Sequence, residues 1–293
     1  MDIFMYTTII SAPDLKNMID SSQEHIIFDC SFDLGNPAWG YEEFIQSHIQ
    51  GSQYADLDKD LSTHDPSIQI NGGRHPLPNR QTFAAWLVSR GVGNRTQVIV
   101  YDRNGLNFCG RLWWMLKWCG HDAVAVLDGG FKGWLESGFP IASGNDAQPE
   151  SSSAFNLSDP LVKLVDRNNV LNNLGEQQLI IDARAEPRYR GEVEPLDPVA
   201  GHIPGALNRP FSCNFTQEGC FKSKEALKSE FEALLRDSAP NHVVHHCGSG
   251  VSAVPNLIAM ELAGMNGSSL YAGSWSEWSN TEPLLVERGC GTA

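Results

Sequence analysis

The amino-acid sequence predicts an α/β protein with two similar domains, each a mostly parallel β-sheet covered by helices on both faces. Three observations predict this class: short continuous apolar runs, helical stretches between them, and markers that recur in both halves. The apolar runs lie at 26–28, 98–100, 124–127, 179–181, 243–244 and 269–271. They are too continuous for a sheet with one solvated face. The helical stretches at 81–90, 111–119, 224–235 and 253–263 alternate with them, as in parallel sheets.

Four short markers recur in the second half of the chain in the same order. The first is an apolar run that ends at Asp29 and again at Asp182, and the second is a His-Ile-x-Gly turn that begins at His48 and again at His202. The third is an apolar run followed by Asp102 in the first half and by Cys247 in the second. The fourth is segment 127–134, which matches segment 270–278. Halves of about 140 residues are too long for a solenoid repeat and indicate a tandem duplication. The polar stretch 143–153 is typical of a linker. We therefore expect domains at 1–142 and 159–293, joined by a linker at 143–158.

The amino-acid composition excludes several classes of function. The 293 residues include 21 Lys and Arg against 35 Asp and Glu, a net charge of −14, which excludes a nucleic-acid binder that neutralises phosphates. A hydrophobic fraction of 41% with 8 Trp and 13 Phe is globular. No run approaches about 18 consecutive apolar residues, and residues 1–15 lack the pattern of an export signal. We expect a soluble cytoplasmic protein without a membrane partner.

Seven cysteines occur, with no CxxC pair and no Cys/His spacing of a metal site. In a reducing compartment most of them are expected to be small packing residues, with at most one or two reactive. Cys290, close to the end of the chain, is expected to be prone to oxidation. The sequence calls for neither a metal ion nor an organic cofactor.

The segment from Val243 to Ala253 places Cys247 where a buried strand ends and a helix is about to begin. Gly248 and Gly250 allow the backbone to curl, so that successive N–H groups converge on the sulfur and the helix dipole adds positive potential. Both effects favour the thiolate. The alternative is a core cysteine beside a tight turn. The loop lacks the Lys-Ser/Thr of a nucleotide-binding P-loop, and residues 248–254 lack the Arg that a cysteine phosphatase needs.

These residues resemble the tandem-domain rhodaneses, and among them most the 3-mercaptopyruvate sulfurtransferases. The resemblance rests on segments 27–29, 111–115, 127–134, 201–206, 247–253 and 273–278. It implies two rhodanese-like domains, of which the N-terminal one is catalytically inactive and the C-terminal one supplies the cysteine. Asp102 at the position that matches Cys247 agrees with that division.

The resemblance also implies roles for single residues. Cys247 is similar to the nucleophile that takes sulfur from the donor as a persulfide. The residues that follow it, Gly248, Ser249, Gly250, Val251 and Ser252, are similar to the loop that surrounds that sulfur.

Four residues, Ser249 of the loop among them, resemble the family's substrate and proton-transfer groups. Ser249 and Asp58 resemble a pair that assists proton transfer, and His75 a substrate contact contributed by the N-terminal domain. Arg188 resembles the Arg that holds the donor's carboxylate or sulfonate, a task suited to its planar fork. Each also has a plainer interpretation: His75 as a loop residue, Asp58 as one acid in an acidic run, and Arg188 as part of a solvated cluster with Arg184 and Arg190.

The main departure from the family lies in 191–201, where mercaptopyruvate enzymes place a second substrate-binding Arg and this chain has Leu196 and Asp197. Arg190 or Arg74 would have to compensate. The neutral Ser249, in contrast, favours mercaptopyruvate over thiosulfate, because only mercaptopyruvate leaves as an enolate that needs a proton.

The expected function is sulfur transfer from 3-mercaptopyruvate, through a persulfide on Cys247, to a thiol acceptor such as thioredoxin or to cyanide. Two alternatives stay open: a thiosulfate sulfurtransferase, and a non-catalytic sulfur-carrier or interaction module. Since the net charge is −14, an anionic donor would need local positive potential from Arg184, Arg188, Arg190 and Arg74. His48, His202, Trp275 and Trp278 are expected to be structural.

Overall fold

A computed structural model describes residues 5–21, 23–145 and 154–290. Residues 146–153, half of the expected linker at 143–158, lie outside the described residues. The chain forms two compact units. Unit 1 comprises Met1–Thr63, Pro78–Leu161 and Thr216–Phe221; unit 2 comprises His64–Leu77, Val162–Phe215 and Lys222–Ala293. No helix in the described residues is both long and apolar enough to span a membrane.

Unit 1 contains one parallel sheet and a short antiparallel pair. In chain order its elements are β1 (Ile9–Ile10), α1 (Ala12–Asp20), β2 (His25–Asp29), α2 (Trp39–Gln46), β3 (His48–Ile49), β4 (Ser52–Tyr54), α3 (Arg80–Ser89), β5 (Gln97–Tyr101), α4 (Cys109–Trp118), β6 (Val124–Leu127), α5 (Gly130–Glu136) and β7 (Ile141–Ala142). The strand order is β1-β6-β5-β2-β4, and β3 pairs with β7. Ser11 and Asn79 cap α1 and α3 by accepting backbone N–H groups. Every residue of β5 is buried, as expected for a sheet covered on both faces.

Unit 2 contains a second parallel sheet. Its elements are β8 (Lys163–Val165), α6 (Arg167–Asn172), β9 (Leu179–Asp182), α7 (Glu186–Tyr189), β10 (Leu207–Asn208), α8 (Lys224–Leu235), β11 (Val243–His246), α9 (Val254–Leu262), β12 (Ser269–Tyr271) and α10 (Ser274–Trp278), with 3₁₀ turns at Phe211–Asn214 and Pro240–His242. The strand order β8-β12-β11-β9-β10 repeats that of unit 1. The predicted fold class is confirmed.

The two sheets share their register as well as their strand order. Asp29 pairs with Tyr101 in unit 1, and Asp182 pairs with His246 in unit 2. Asp102 and Cys247 are therefore the first residues beyond equivalent strands. The helices α4 and α9 begin at the same distance after them. The two strand-to-helix loops are thus the same feature with a different first residue.

The repeated histidines have matching structural contacts. His48 Nδ1 lies 2.8 Å from the Phe44 carbonyl oxygen, and its ring stacks on Phe44. His202 Nδ1 lies 2.8 Å from the Tyr189 carbonyl oxygen, and its ring stacks on Tyr189. Both histidines are fully buried, which agrees with the structural role expected for them.

Trp275 and Trp278 are fully buried in the hydrophobic core of unit 2. They pack in one cluster with residues of β9 and β11, including Ile180 and Val244. These two tryptophans therefore serve core packing, as the sequence indicated.

One segment from each half of the sequence packs in the unit of the other half. Segment His64–Leu77 belongs to unit 2, although it precedes the linker by many residues. The N–H of Gly72 donates to Glu277 (2.6 Å), and that of Arg74 donates to Ser276 Oγ (3.0 Å). His75 lies in the N-terminal half of the sequence, but these hydrogen bonds hold its segment in unit 2; its role as a substrate contact stays a prediction. Conversely, Thr216–Phe221 belongs to unit 1.

Candidate active site

Cys247 follows the buried strand β11, and 2% of its surface is exposed. Its N–H donates to Ser274 Oγ (3.1 Å), and its carbonyl oxygen accepts the N–H of Trp275 (3.0 Å). The carbonyl oxygen of Gly248 accepts the N–H of Ser276 (2.8 Å). The start of α10 thus holds the first two residues of the loop 247–253. The sequence alone did not predict this role of Ser274; its place directly after Gly273, close to the end of β12, was the available signal.

The two glycines of this loop are required for different reasons. Gly250 has φ +73°, and a Cβ there would lie 2.3 Å from the carbonyl oxygen of Ala272. Gly248 has ordinary backbone angles, but a Cβ there would lie 3.2 Å from Nη2 of Arg74 and 3.5 Å from Nη1 of Arg188. Gly250 allows the tight curl of the loop, whereas Gly248 allows two guanidinium groups to approach beside Cys247.

The equivalent loop of unit 1 shows how a loop of this shape binds an anion. Asp102 Oδ1 accepts the N–H groups of Asn104 (2.9 Å) and Leu106 (2.8 Å). Its Oδ2 accepts those of Phe108 (2.8 Å) and Cys109 (2.9 Å). Four backbone donors converge on one buried carboxylate, as in other backbone anion sites. The charge on Asp102 occupies the position that a sulfur atom holds in unit 2.

Three backbone N–H groups of the unit 2 loop occupy sequence positions equivalent to those that donate to Asp102 in unit 1. They belong to Ser249, Val251 and Ala253, which follow Cys247 as Asn104, Leu106 and Phe108 follow Asp102. A negative charge on the side chain at position 247 can therefore be met by the same kind of backbone cradle.

The structure brings His75 and Ser249 together. His75 Nδ1 lies 2.7 Å from Ser249 Oγ, and both residues are buried. This hydrogen bond couples an imidazole to a hydroxyl two residues after Cys247. The sequence predicted both residues but paired Ser249 with Asp58.

Asp58 lies in unit 1, in the turn after β4, where it is exposed and its N–H donates to Asp56 Oδ1 (2.9 Å). Its assignment to proton transfer stays a prediction from the sequence. Within unit 2, His75 is the group that shares a hydrogen bond with Ser249.

Arg74 and Arg188, both adjacent to Gly248, share one carboxylate. Arg74 Nη1 donates to Asp197 Oδ1 (3.0 Å), and Arg188 Nη2 donates to Asp197 Oδ2 (3.2 Å). The side chain of Asp197 is 3% exposed, against 24% for Arg74 and 20% for Arg188. The carboxylate is thus enclosed, while each guanidinium keeps an accessible part.

The ion pairs continue into the core of unit 2. Glu194 accepts Arg188 Nη2 (2.7 Å) and Arg184 Nη1 (3.2 Å). Arg184 also pairs with Asp182 at 2.6 Å. Burial on its own raises the pKa of Asp182, but the charge of Arg184 and the hydrogen bonds that Arg184 donates outweigh it and lower that pKa. Asp182 is therefore a carboxylate that orients Arg184.

This network corrects two expectations about the arginines. Arg184 is buried rather than solvated. Arg184, Arg188 and Arg74 all pair with buried acids, and Arg190 pairs with Glu186. The cluster therefore does not supply the strong local positive potential expected from the four arginines. The sequence did not predict Glu194, which lies six residues after Arg188 and ten after Arg184.

The remaining expected loop residues, Val251 and Ser252, lie in the turn that leads into α9; Val251 is buried and Ser252 is partly buried. Among residues 5–21, 23–145 and 154–290, no group of three or more His, Cys, Asp or Glu side chains could hold a metal ion.

The sequence profile of the rhodanese-like domain matches residues 11–137 and 166–281. The chain belongs to the rhodanese-like family. The first match covers one parallel sheet with its helices and the second match covers the other, so the chain carries two tandem rhodanese-like domains.

Two relatives of this rhodanese-like chain carry the names of different sulfurtransferases. A probable 3-mercaptopyruvate sulfurtransferase of Pseudomonas aeruginosa is 41% identical over 260 residues, 88% of this chain and 90% of the relative. A putative thiosulfate sulfurtransferase of Mycobacterium tuberculosis is 34% identical over 285 residues, 96% of this chain and 97% of the relative.

The crystal structure of SseA from Escherichia coli, described as a 3-mercaptopyruvate sulfotransferase with the rhodanese fold, is also similar. It is 31% identical, has a TM-score of 0.76, and the match covers 93% of this chain and 100% of that one. The chain is accordingly a sulfurtransferase enzyme.

Proposed function

We propose that the protein transfers sulfur from 3-mercaptopyruvate through a persulfide on Cys247. The observation that carries this proposal is the pair of equivalent loops. In unit 1 the loop directs four N–H groups at the Asp102 carboxylate. In unit 2 a loop of the same length places Cys247 at that position, so it can stabilise a thiolate before the reaction and a persulfide after it.

In the first half-reaction the Cys247 thiolate attacks the thiol sulfur of the donor. A sulfur–sulfur bond forms while the carbon–sulfur bond of the donor breaks, and the electron pair of that bond stays with the carbon. The products are the Cys247 persulfide and the enolate of pyruvate. The enolate then takes up one proton to become pyruvate, and Arg188 orients the donor through its carboxylate.

The hydrogen-bonded His75 and Ser249 support the choice of donor. An enolate leaving group needs a proton, and His75 can deliver one through the Ser249 hydroxyl. Thiosulfate leaves as sulfite without a proton, so this pair would serve it no purpose. The pair therefore favours 3-mercaptopyruvate over thiosulfate.

In the second half-reaction an acceptor thiolate, such as that of thioredoxin, attacks the outer sulfur of the persulfide. The sulfur–sulfur bond to Cys247 breaks, and the cysteine leaves as the thiolate that begins the next cycle. Cyanide can take the sulfur in the same way and form thiocyanate. Because the donor product leaves before the acceptor reacts, the kinetics are expected to be ping-pong.

The test is a side-by-side measurement of kcat/KM for 3-mercaptopyruvate and thiosulfate with cyanide as acceptor. We expect a large excess for 3-mercaptopyruvate in the wild type and no turnover in Cys247→Ser. His75→Gln and Ser249→Ala are expected to lower kcat with 3-mercaptopyruvate by about 10²- to 10⁴-fold, the range of a lost proton-transfer group, and to leave thiosulfate turnover nearly unchanged.

Each other outcome points to a defined alternative. An excess for thiosulfate would make the protein a thiosulfate sulfurtransferase, as the relative from M. tuberculosis is named. Turnover retained by Cys247→Ser would exclude this site. Absence of turnover with both donors would favour a sulfur-carrier or interaction module.

A further inference from the structure

We infer that Asp197 is a specificity-determining residue, which holds Arg74 and Arg188 as a two-guanidinium site and limits that site to donors with a single negative charge. This inference rests on the proposed sulfur transfer at Cys247. It concerns which donor anion the site accepts, and it depends on contacts of Asp197 that the sequence did not predict.

The geometry makes Asp197 the shared anchor of the two arginines. Each of its oxygens accepts from a different guanidinium, at 3.0 Å from Arg74 and 3.2 Å from Arg188. Both guanidiniums lie beside Gly248, the neighbour of Cys247. A carboxylate fixed between two guanidiniums restricts the motion of both, and planar guanidinium groups so held suit an incoming anion.

Arg74, rather than Arg190, is the second guanidinium at this site. Arg190 pairs with Glu186, one helical turn away, and its Nη1 lies 3.9 Å from Glu192 Oε1, so these two acids compensate its charge. Arg74 reaches the Cys247 loop because its backbone N–H is fixed on Ser276 Oγ.

The charges of the cluster balance before any donor binds. Three guanidiniums, those of Arg74, Arg184 and Arg188, pair with the three buried carboxylates of Asp182, Glu194 and Asp197. One donor charge can be placed against the accessible parts of Arg74 and Arg188. A second charge finds no further uncompensated cation in this cluster, and it meets repulsion from Asp197.

This balance separates the two classes of sulfur donor. A carboxylate donor that keeps its thiol proton brings one charge, whereas thiosulfate brings two. Since Coulomb energy scales with the product of the charges, removing the charge of Asp197 helps the dianion about twice as much as the monoanion in free energy. Loss of the anchor itself would weaken binding of both donors alike.

The experiment compares four proteins: the wild type, Asp197→Asn, Asp197→Glu and Asp237→Asn. Asp237 is exposed and precedes β11, at the end of the strand opposite to Cys247, so it controls for loss of one charge. The readout is the ratio of kcat/KM for thiosulfate to that for 3-mercaptopyruvate. We expect it to rise about tenfold in Asp197→Asn and to stay within twofold of the wild type in the other two.

Arg74→Gln provides the opposite perturbation, because it removes a positive charge from the same site. There the ratio is expected to fall, by a factor similar to the rise in Asp197→Asn. A ratio within twofold of the wild type in both variants would overturn the inference. A rise in Asp197→Glu equal to that in Asp197→Asn would overturn it too, since Glu keeps the charge.

A binding measurement separates this inference from the proposed function. Sulfate and acetate serve as a dianion and a monoanion, and binding is followed by the rise of the unfolding midpoint with anion concentration. Asp197→Asn is expected to tighten sulfate binding more than acetate binding, whatever reaction Cys247 performs. Equal changes for both anions would overturn the inference even if sulfur transfer is confirmed, whereas loss of the sulfur-transfer reaction alone would leave this result standing.

Discussion

Asp102→Asn tests whether the loop of unit 1 is held by its own anion. The substitution keeps the volume of the side chain but replaces one carboxylate oxygen by an NH₂ group. The remaining oxygen still accepts two N–H groups, while the amide nitrogen faces the other two donors. Two charge-assisted hydrogen bonds at about 1.5–3 kcal/mol each are lost, so we expect the free energy of unfolding of unit 1 to fall by about 3–6 kcal/mol.

The assay is urea unfolding followed by tryptophan fluorescence. Six of the eight tryptophans lie in unit 1, so the signal reports mainly on that unit. Asp33→Asn is the matched control, because the exposed Asp33 also accepts two backbone N–H groups, from Gly35 and Asn36. We expect the control to cost less than about 1 kcal/mol. Equal costs for the two variants would refute the view that this loop stabilises a buried anion.

Three further predictions concern unit 2. Arg188→Ala should raise the KM for 3-mercaptopyruvate about 10- to 100-fold, the loss of a charged hydrogen bond; an unchanged KM would remove Arg188 from the site. Gly250→Ala should lower kcat/KM at least about tenfold, because its Cβ would strike the Ala272 carbonyl. The control is Gly205→Ala, at φ +76° with open space around the position, which should cost only about 1–2 kcal/mol of stability. Burial lowers the pKa of His245 to about 3, below the roughly 6.5 of the unfolded chain. The neutral ring therefore stabilises the fold above about pH 6.5. Acidification from pH 7 to pH 5 should lower the free energy of unfolding of the wild type by about 2 kcal/mol more than that of His245→Leu, as measured by urea unfolding. An identical pH dependence of the two proteins would contradict this.

The fold was largely predictable because its signals are local. Continuous apolar runs such as 98–100 and 243–244 set the buried strands, and both became central strands of five-stranded parallel sheets. The recurrence of the markers then predicted that both halves share one architecture. The match of Asp102 to Cys247, made on the sequence, agrees with the strand register.

The parts that escaped prediction depend on contacts between distant positions of the chain. Segment His64–Leu77 has no hydrophobic period that would assign it to either unit, and it is placed by hydrogen bonds from Gly72, Arg74 and His75 to residues far along the sequence. The sharing of Asp197 by Arg74 and Arg188 is of the same kind. A side chain's charge is visible in a sequence, but the identity of its partner is not.

The most direct test of sulfur transfer through Cys247 is the detection of the persulfide itself. The protein is mixed with 3-mercaptopyruvate in the absence of an acceptor, alkylated, digested and analysed by mass spectrometry, with Cys247→Ser treated in parallel. We expect the peptide containing Cys247 to gain the mass of one sulfur atom and to lose it when cyanide is added, while the other six cysteines gain none. Sulfur found on another cysteine, or a wild type that carries none while turning over donor, would contradict it.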